Sequence, residues 1–115
     1  MTNCIFCKIV NKGLKSEIVF EDEKVLVFKD INPRAPIHFL IVSKEHINSI
    51  NDLESKHQEL MGQMILTAKK VAEQENFATK GYKLVFNVGR DGGQVVEHIH
   101  LHVLSGGYTR SLAEI

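Results

Sequence analysis

A chain of 115 residues supplies one domain, expected to span 1–115, that folds alone around a modest core. Its 14 Lys and Arg balance its 14 Asp and Glu, so no net field draws it to nucleic acid or to an anionic membrane, and a neutral surface permits self-association. Met1-Thr2-Asn3-Cys4 lacks the basic segment and apolar run of a secretion signal, and no apolar stretch reaches membrane-span length. A cytosolic location with both cysteines, Cys4 and Cys7, reduced is therefore expected.

In chain order, residues 4–11 place Ile5, Phe6, Ile9 and Val10 on one side of a short helix that Gly13 ends. Ile18–Glu21 predicts a strand, Asp22-Glu23 a turn, and Val25–Lys29, alternating and β-branched, a second strand. Both prolines fall in Asn32-Pro33-Arg34-Ala35-Pro36, a rigid loop before a third strand over His38–Val42. The one long helix is expected to begin near Asn51, where Asn51 and Glu54 resemble a capping box. Leu53, Leu60, Met61, Met64, Ile65, Ala68, Val71 and Ala72 make its apolar stripe, with His57 exposed. Asn76–Gly81 closes that helix, Tyr82–Val88 predicts a fourth strand, and Gly89–Gln94 a tight glycine-rich turn. A fifth strand follows, and the tail 108–115 carries no clear pattern. Strands joined by short turns with one long helix give an α+β fold on an antiparallel sheet.

The fifth strand carries the chemistry. His98, His100 and His102 occupy every second position, with Ile99, Leu101 and Val103 between them. Period two puts three imidazoles on one face and three aliphatic side chains on the other, core-facing one. Imidazole suits proton transfer, metal ligation or nucleophilic attack. His100, flanked in its own row, is the natural nucleophile toward phosphorus; His102 is placed to hold a phosphoryl oxygen or give a proton, and Asn87 to donate an amide hydrogen bond. The Gly92-Gly93 and Gly106-Gly107 pairs border the strand, either as ordinary turns or as backbone cradles for an anion.

His98-x-His100-x-His102-Val103-Leu104 resembles the signature of the histidine triad (HIT) superfamily. Asn87-x-Gly89-x-Asp91-Gly92-Gly93-Gln94, Gly106-Gly107, the run Phe28–Leu40 and Cys4-Ile5-Phe6-Cys7-Lys8-Ile9 resemble its Hint branch of nucleoside phosphoramidases. That resemblance implies a five-stranded antiparallel sheet with one long helix and a short N-terminal helix, paired across a twofold axis into a ten-stranded sheet. It implies hydrolysis of purine nucleoside phosphoramidates, of AMP or GMP type, through a nucleotidyl-histidine intermediate. By the same resemblance Phe28 and Ile31 line the purine pocket, and Asp30 accepts the ribose hydroxyls. Asn87, Gly93, Gln94 and His102 contact the nucleotide's phosphate region, His100 is the nucleophile, and His38 is the fourth histidine supporting the triad that His98 opens. Read without it, Phe28 and Ile31 are core residues, Asp30 caps a turn, and His38 is a satisfied buried histidine. Two alternatives stay open: a dinucleoside polyphosphate hydrolase, and a nucleotide- or protein-binding module without turnover.

Three departures from the Hint pattern stand out. Val95 replaces a small hydroxyl residue after Gly-Gly-Gln, Glu97 replaces an aromatic, and the ending Ser111–Ile115 lacks a tryptophan. Catalysis is expected to need no cofactor. Cys4-x-x-Cys7, however, has the spacing of a thiolate pair on tetrahedral zinc, or of two small buried hydrophobes. His46 and His98 are the candidates to complete a structural Zn²⁺ site, as the equivalent histidines do in similar microbial HIT proteins.

Overall fold

Alternation along the strands builds two faces, and the faces decide where everything else goes. The computed structural model describes residues 3–107. Its elements are α1 (Ile5–Val10), β1 (Ile18–Glu21), β2 (Val25–Lys29), β3 (Ile37–Ser43), α2 (Gln58–Gln74), β4 (Lys83–Phe86) and β5 (His100–Ser105). The strands form one antiparallel sheet in the order β1-β2-β3-β5-β4. The expected α+β architecture, five antiparallel strands with one long and one short helix, is the observed one.

Val27 pairs with Ile41, and Ile41 with Leu101, so these three point the same way. With Val25, Phe39 and Val103 they meet Met64, Ala68, Val71 and Ala72 of α2 in the larger core. The opposite face carries Leu26, Phe28, Leu40 and Val42, which Phe6 and Ile9 of α1 cover in a smaller core. The rows of that second face run Phe28–Leu40–His102 and Leu26–Val42–His100. Two histidines thus continue apolar rows into the side of the sheet that α1 covers only in part. Among the described residues no helix is long and apolar enough to cross a membrane.

Several element boundaries differ from the sequence-based expectation. Ser49, not Asn51, caps a 3₁₀ turn over Ile50–Asp52, and Leu53 is extended, which breaks any helix there. A second 3₁₀ turn, Ser55–His57, carries the capping box, formed by Glu54 and His57 rather than by Asn51 and Glu54. α2 therefore starts at Gln58, and Leu53 lies outside its stripe. His57 is buried rather than exposed, and its Nδ1 accepts the Glu54 N–H at 2.9 Å. Met64, Ala68, Val71 and Ala72 are fully buried as expected, but Ile65 is 45% exposed. β4 is shorter than 82–88 at both ends, and β3 is longer than 38–42 by one residue at each end. β5 begins only at His100, so His98 and Ile99 belong to the connection leading into it.

Gly106 pins the end of β5 to the proline loop. Its φ is +95°, and a Cβ there would lie 2.7 Å from Pro36 Cβ. Gly107 has open space at the corresponding point. Gly106→Ala should therefore cost about 2 kcal/mol through left-handed strain and the clash with Pro36. Gly107→Ala should be close to neutral; urea denaturation of the two variants checks both values.

Candidate active site

β3 and β5 bring three histidines to one face. His38 pairs in register with Leu104 and Leu40 with His102, which sets His38 diagonally across from His102. Their rings meet with His38 Nε2 2.9 Å from His102 Nδ1. His100 stands one pleat further along β5, its ring 5.1 Å from that of His102.

Backbone groups fix the protons on these rings, since a carbonyl only accepts and an amide N–H only donates. The Arg34 N–H donates to His38 Nδ1 at 3.0 Å, so neutral His38 carries its proton on Nε2. That proton faces His102 Nδ1, with Asp30 Oδ2 3.4 Å away. His102, accepting at Nδ1, keeps its own proton on Nε2. His100 Nδ1 donates to the His98 carbonyl at 2.7 Å, which leaves Nε2 unprotonated. One cleft wall thus offers a lone pair on His100 and an N–H on His102.

Burial favours the neutral ring at all of these positions. His102 is pushed down to about 4 by burial first and then by the neighbouring His100 and His38 charges, with Asp30 opposing. Burial also lowers His100, against the pull of its bond to the His98 carbonyl and of Asp30. It lowers His38 as well; Asp30 opposes that shift and Arg34 adds to it.

These rings open on a cavity of about 530 Å³. Its apolar lining includes Ile5, Phe6, Ile9, Leu14, Phe28 and Leu40; its polar lining includes Lys15, Asp30, Arg34, His38, Asn87, His100 and His102. Phe28 is buried with its ring 5.6 Å from Phe6, edge to face. Ile31 stands 84% exposed beside the cavity. Asp30 does cap a turn, its Oδ1 accepting the Asn32 N–H at 2.8 Å, and it also lines the cavity. Asn87 Nδ2 donates to the Gly92 carbonyl at 2.8 Å, bracing the glycine-rich loop beside Gly93, which joins the lining.

Gln94 is committed elsewhere. Its Oε1 accepts the Gly89 N–H at 3.0 Å and its Nε2 donates to the Asn48 and Val96 carbonyls at 2.7 and 2.9 Å. It shapes the loop and is not among the lining residues. Val95, 90% exposed, brings no hydroxyl to the cavity it lines. Sequence reasoning missed the wall formed by Ile5, Phe6, Ile9 and Leu40, and it missed Arg34. The signal was present in Phe6, an aromatic set between two cysteines, and in Arg34, a charge inside a rigid loop.

His98 turns away from this row. It is fully buried, and its Nε2–H donates to the Ser43 carbonyl at 2.7 Å. Its Nδ1 then faces Cys4 Sγ at 3.2 Å and Cys7 Sγ at 3.6 Å. His46 is arranged alike, with Nε2–H donating to Asn48 Oδ1 at 2.7 Å and Nδ1 3.2 Å from Cys7 Sγ. The four donor atoms all lie within 4.8 Å of one another. A tetrahedral zinc with ordinary Zn–S and Zn–N bonds sets sulfur and nitrogen ligands about 3.5 Å apart. The donor set and its spacing therefore fit such an ion, and both imidazoles already donate their second N–H to an oxygen, as metal-bound histidines do. His57 is remote in role, engaged in its capping box.

The His102 shift has a consequence for stability. Above the usual imidazole value of 6.5 neither the folded nor the unfolded state holds this proton. Between 6.5 and about 4 the unfolded chain binds a proton that folded His102 refuses, so stability falls as pH falls through that window. Urea midpoints should drop from about pH 7.5 to about 5, and His102→Asn should show a shallower drop than the unchanged protein.

Comparison with known proteins gives a consistent picture. Residues 3–114 match the family profile described as scavenger mRNA decapping enzyme C-term binding. The chain is 46% identical over 102 residues to the purine nucleoside phosphoramidase of Escherichia coli (strain K12), covering 89% of this chain and 86% of that one. A HIT family hydrolase from Legionella pneumophila Philadelphia 1 superposes with a TM-score of 0.91 at 48% identity, covering 93% of this chain and 96% of the other. A histidine triad protein from Clostridium difficile gives 0.92 at 40% identity, covering 94% of each. With the alternating histidines on β5, the diagonal His38 and these relatives of nearly equal length, the chain belongs to the histidine triad superfamily.

Proposed function

We propose that the protein hydrolyses the P–N bond of purine nucleoside phosphoramidates, as a member of the Hint branch. One observation carries the chemistry: the His100 Nδ1–H is held on the His98 carbonyl at 2.7 Å, so a neutral Nε2 lone pair faces a cavity large enough for a nucleotide. The identity to the Escherichia coli phosphoramidase supports the substrate class.

In this reading the purine lies against Phe6, Phe28 and Leu40 with Ile31 at its edge, and Asp30 receives the ribose hydroxyls. Asp30 Oδ2 keeps acceptor capacity for them, since its present contact with His38 Nε2 is 3.4 Å long. His102 Nε2–H, Asn87 and the Gly93 backbone meet the phosphate oxygens. His100 Nε2 attacks the α-phosphorus, the P–N bond breaks, and the amine leaves with a proton. The Nδ1–H of His100 stays on the His98 carbonyl, which disperses the charge of the nucleotidyl-imidazolium. Water then attacks phosphorus, a nucleoside monophosphate departs and His100 is restored. Val95 supplies no proton, so the amine draws it from solvent, and the water that cleaves the intermediate returns one.

Cys4, Cys7, His46 and His98 are the residues that would hold a structural Zn²⁺. The ion would supply a closed four-coordinate crosslink between α1, the segment after β3 and the segment before β5.

A homodimer completes the proposal. β4 is an edge strand of the sheet, and Leu84 and Phe86 on it, like Leu60 and Met61 of α2, pack against the larger core without full burial. Pairing of two β4 edges about a twofold axis would cover this surface and give ten strands. Sedimentation velocity should return about twice the 13.0 kDa chain mass.

Steady-state kinetics on adenosine 5′-phosphoramidate, beside diadenosine tetraphosphate, test the activity. The phosphoramidate should be the better substrate, and His100→Gln should lower kcat by at least about 10³-fold, as loss of a nucleophile does. A preference for the tetraphosphate would move the protein to the polyphosphate hydrolases. AMP binding without turnover of either compound would make it a binding module.

A further inference from the structure

The thiol–imidazole cluster and the nucleophile are neighbours joined by two short links. The first is His98 itself. Its carbonyl receives the His100 Nδ1–H at 2.7 Å. Its ring is gripped at both nitrogens, Nε2 by the Ser43 carbonyl at 2.7 Å and Nδ1 by the sulfurs of Cys4 and Cys7 at 3.2 and 3.6 Å. No solvent reaches His98, so nothing replaces these contacts when they loosen. The second link is Phe6, which lies between the cysteines in sequence. Its ring edges onto His98 at 5.8 Å, onto His100 at 5.0 Å and onto Phe28 at 5.6 Å, and it forms part of the cavity wall.

A crosslink serving only stability has no need of either link. It would fasten α1 to the sheet at any point. Here the fastening is made through the one residue whose carbonyl sets the nucleophile's tautomer, and through the helix turn that carries the wall beside the nucleophile's ring.

We infer that the Cys4–Cys7–His46–His98 cluster, holding Zn²⁺, is a positioning device for the nucleotide cleft, acting on the nucleophile through His98 and on the cavity wall through Phe6. Metal ligation at His98 Nδ1 fixes the backbone of residue 98 and with it the acceptor for His100 Nδ1–H. Ligation at Cys4 and Cys7 fixes the first turn of α1 and with it the Phe6 ring. His98 and Phe6 are positioning residues; neither touches the reacting atoms. The inference rests on His100 being the nucleophile.

The test uses the full chain, ¹⁵N-labelled on histidine, in three states: loaded with one equivalent of Zn²⁺, stripped by a chelator under reducing conditions, and reloaded with Cd²⁺, whose bonds to sulfur are longer. Circular dichroism confirms the fold at the working temperature. Long-range ¹H–¹⁵N spectra should show one slowly exchanging Nδ1–H on His100 in the zinc form. That signal should broaden or vanish in the stripped form and move in the cadmium form. With adenosine 5′-phosphoramidate, kcat should fall about tenfold or more on stripping, AMP affinity about threefold, and Zn²⁺ should restore both. Phe6→Leu, with zinc still at one per chain, should weaken AMP and move the His100 signal without loss of metal.

An identical His100 Nδ1–H signal and kcat in folded zinc and stripped protein would overturn the inference, as would failure to bind zinc. Should stripping unfold the chain, the cadmium form and Phe6→Leu decide, and an unmoved His100 signal in both is the overturning result. Absence of turnover in every form would strike the phosphoramidase reading instead, while the signal still reports the link from cluster to ring without substrate.

Discussion

The pairing of β3 with β5 is the constraint on which the site depends. Six residues of β3 are matched to six of β5 in register, and a slip by one residue would turn every side chain of one strand to the other face. Leu101 and Val103 would then leave the core under α2, and His100 and His102 would enter it. The apolar residues between the histidines are therefore what hold the histidines in place: burial on one face enforces the chemistry on the other. The same register fixes the diagonal of His38 to His102, hence the 2.9 Å contact and the proton order that follows from it.

That order costs the protein little, because the buried rings of His38 and His100 are neutral and each has its Nδ1 bonded to a backbone group. Three main-chain groups, at Arg34, Ser43 and His98, hold rings of the two clusters, and the Asn48 side-chain Oδ1 holds His46. Backbone groups do not titrate or change rotamer, so they set tautomers more firmly than side chains do. Among the described residues Asp30 is the carboxylate that lies beside the histidine row. Its attraction for a protonated ring is outweighed by burial at His38, His100 and His102 alike.

Much of this was legible in the sequence. Strand alternation gave β2, β3 and the two-faced β5, because burial on one face leaves a period that short-range reading detects. The motif residues Phe28, Asp30, His38, Asn87, His100 and His102 all line one cavity. What failed was local and had local causes. Alternation alone placed His98 in the same strand row, yet its N–H bonds the Val96 carbonyl at 2.9 Å and the chain bends there. Asn51 and Glu54 have the spacing of a capping box, but Leu53 between them is extended, and the box forms one turn later with a histidine in place of Glu or Gln. Gln94 reads as a ligand in a glycine-rich motif, whereas its amide is consumed by three backbone groups. Most of these partners lie two to five residues away, in contacts that follow neither a strand nor a helix period; only the Asn48 carbonyl that Gln94 meets is distant in sequence. The tail 108–115, where the missing tryptophan was noted, lies outside the described residues.

The strand order has a kinetic meaning. Among the described residues β5 is the last strand in sequence, yet it stands between β3 and β4, and the His38–His102 contact spans 64 residues. Closing so long a loop is entropically costly and slow compared with forming a hairpin or a helix. A ribosome reads out β1, β2, β3, α2 and β4 before the strand that unites them, so a nascent chain holds β3 with one bare edge until β5 emerges. Bare edges recruit other chains, which makes this interval the vulnerable one in biosynthesis, the more so because two of the strand's six residues are histidines that add nothing to the drive for collapse. The histidine row is complete only once β5 has docked on β3, and so a chain lacking that pairing lacks one wall of the cavity.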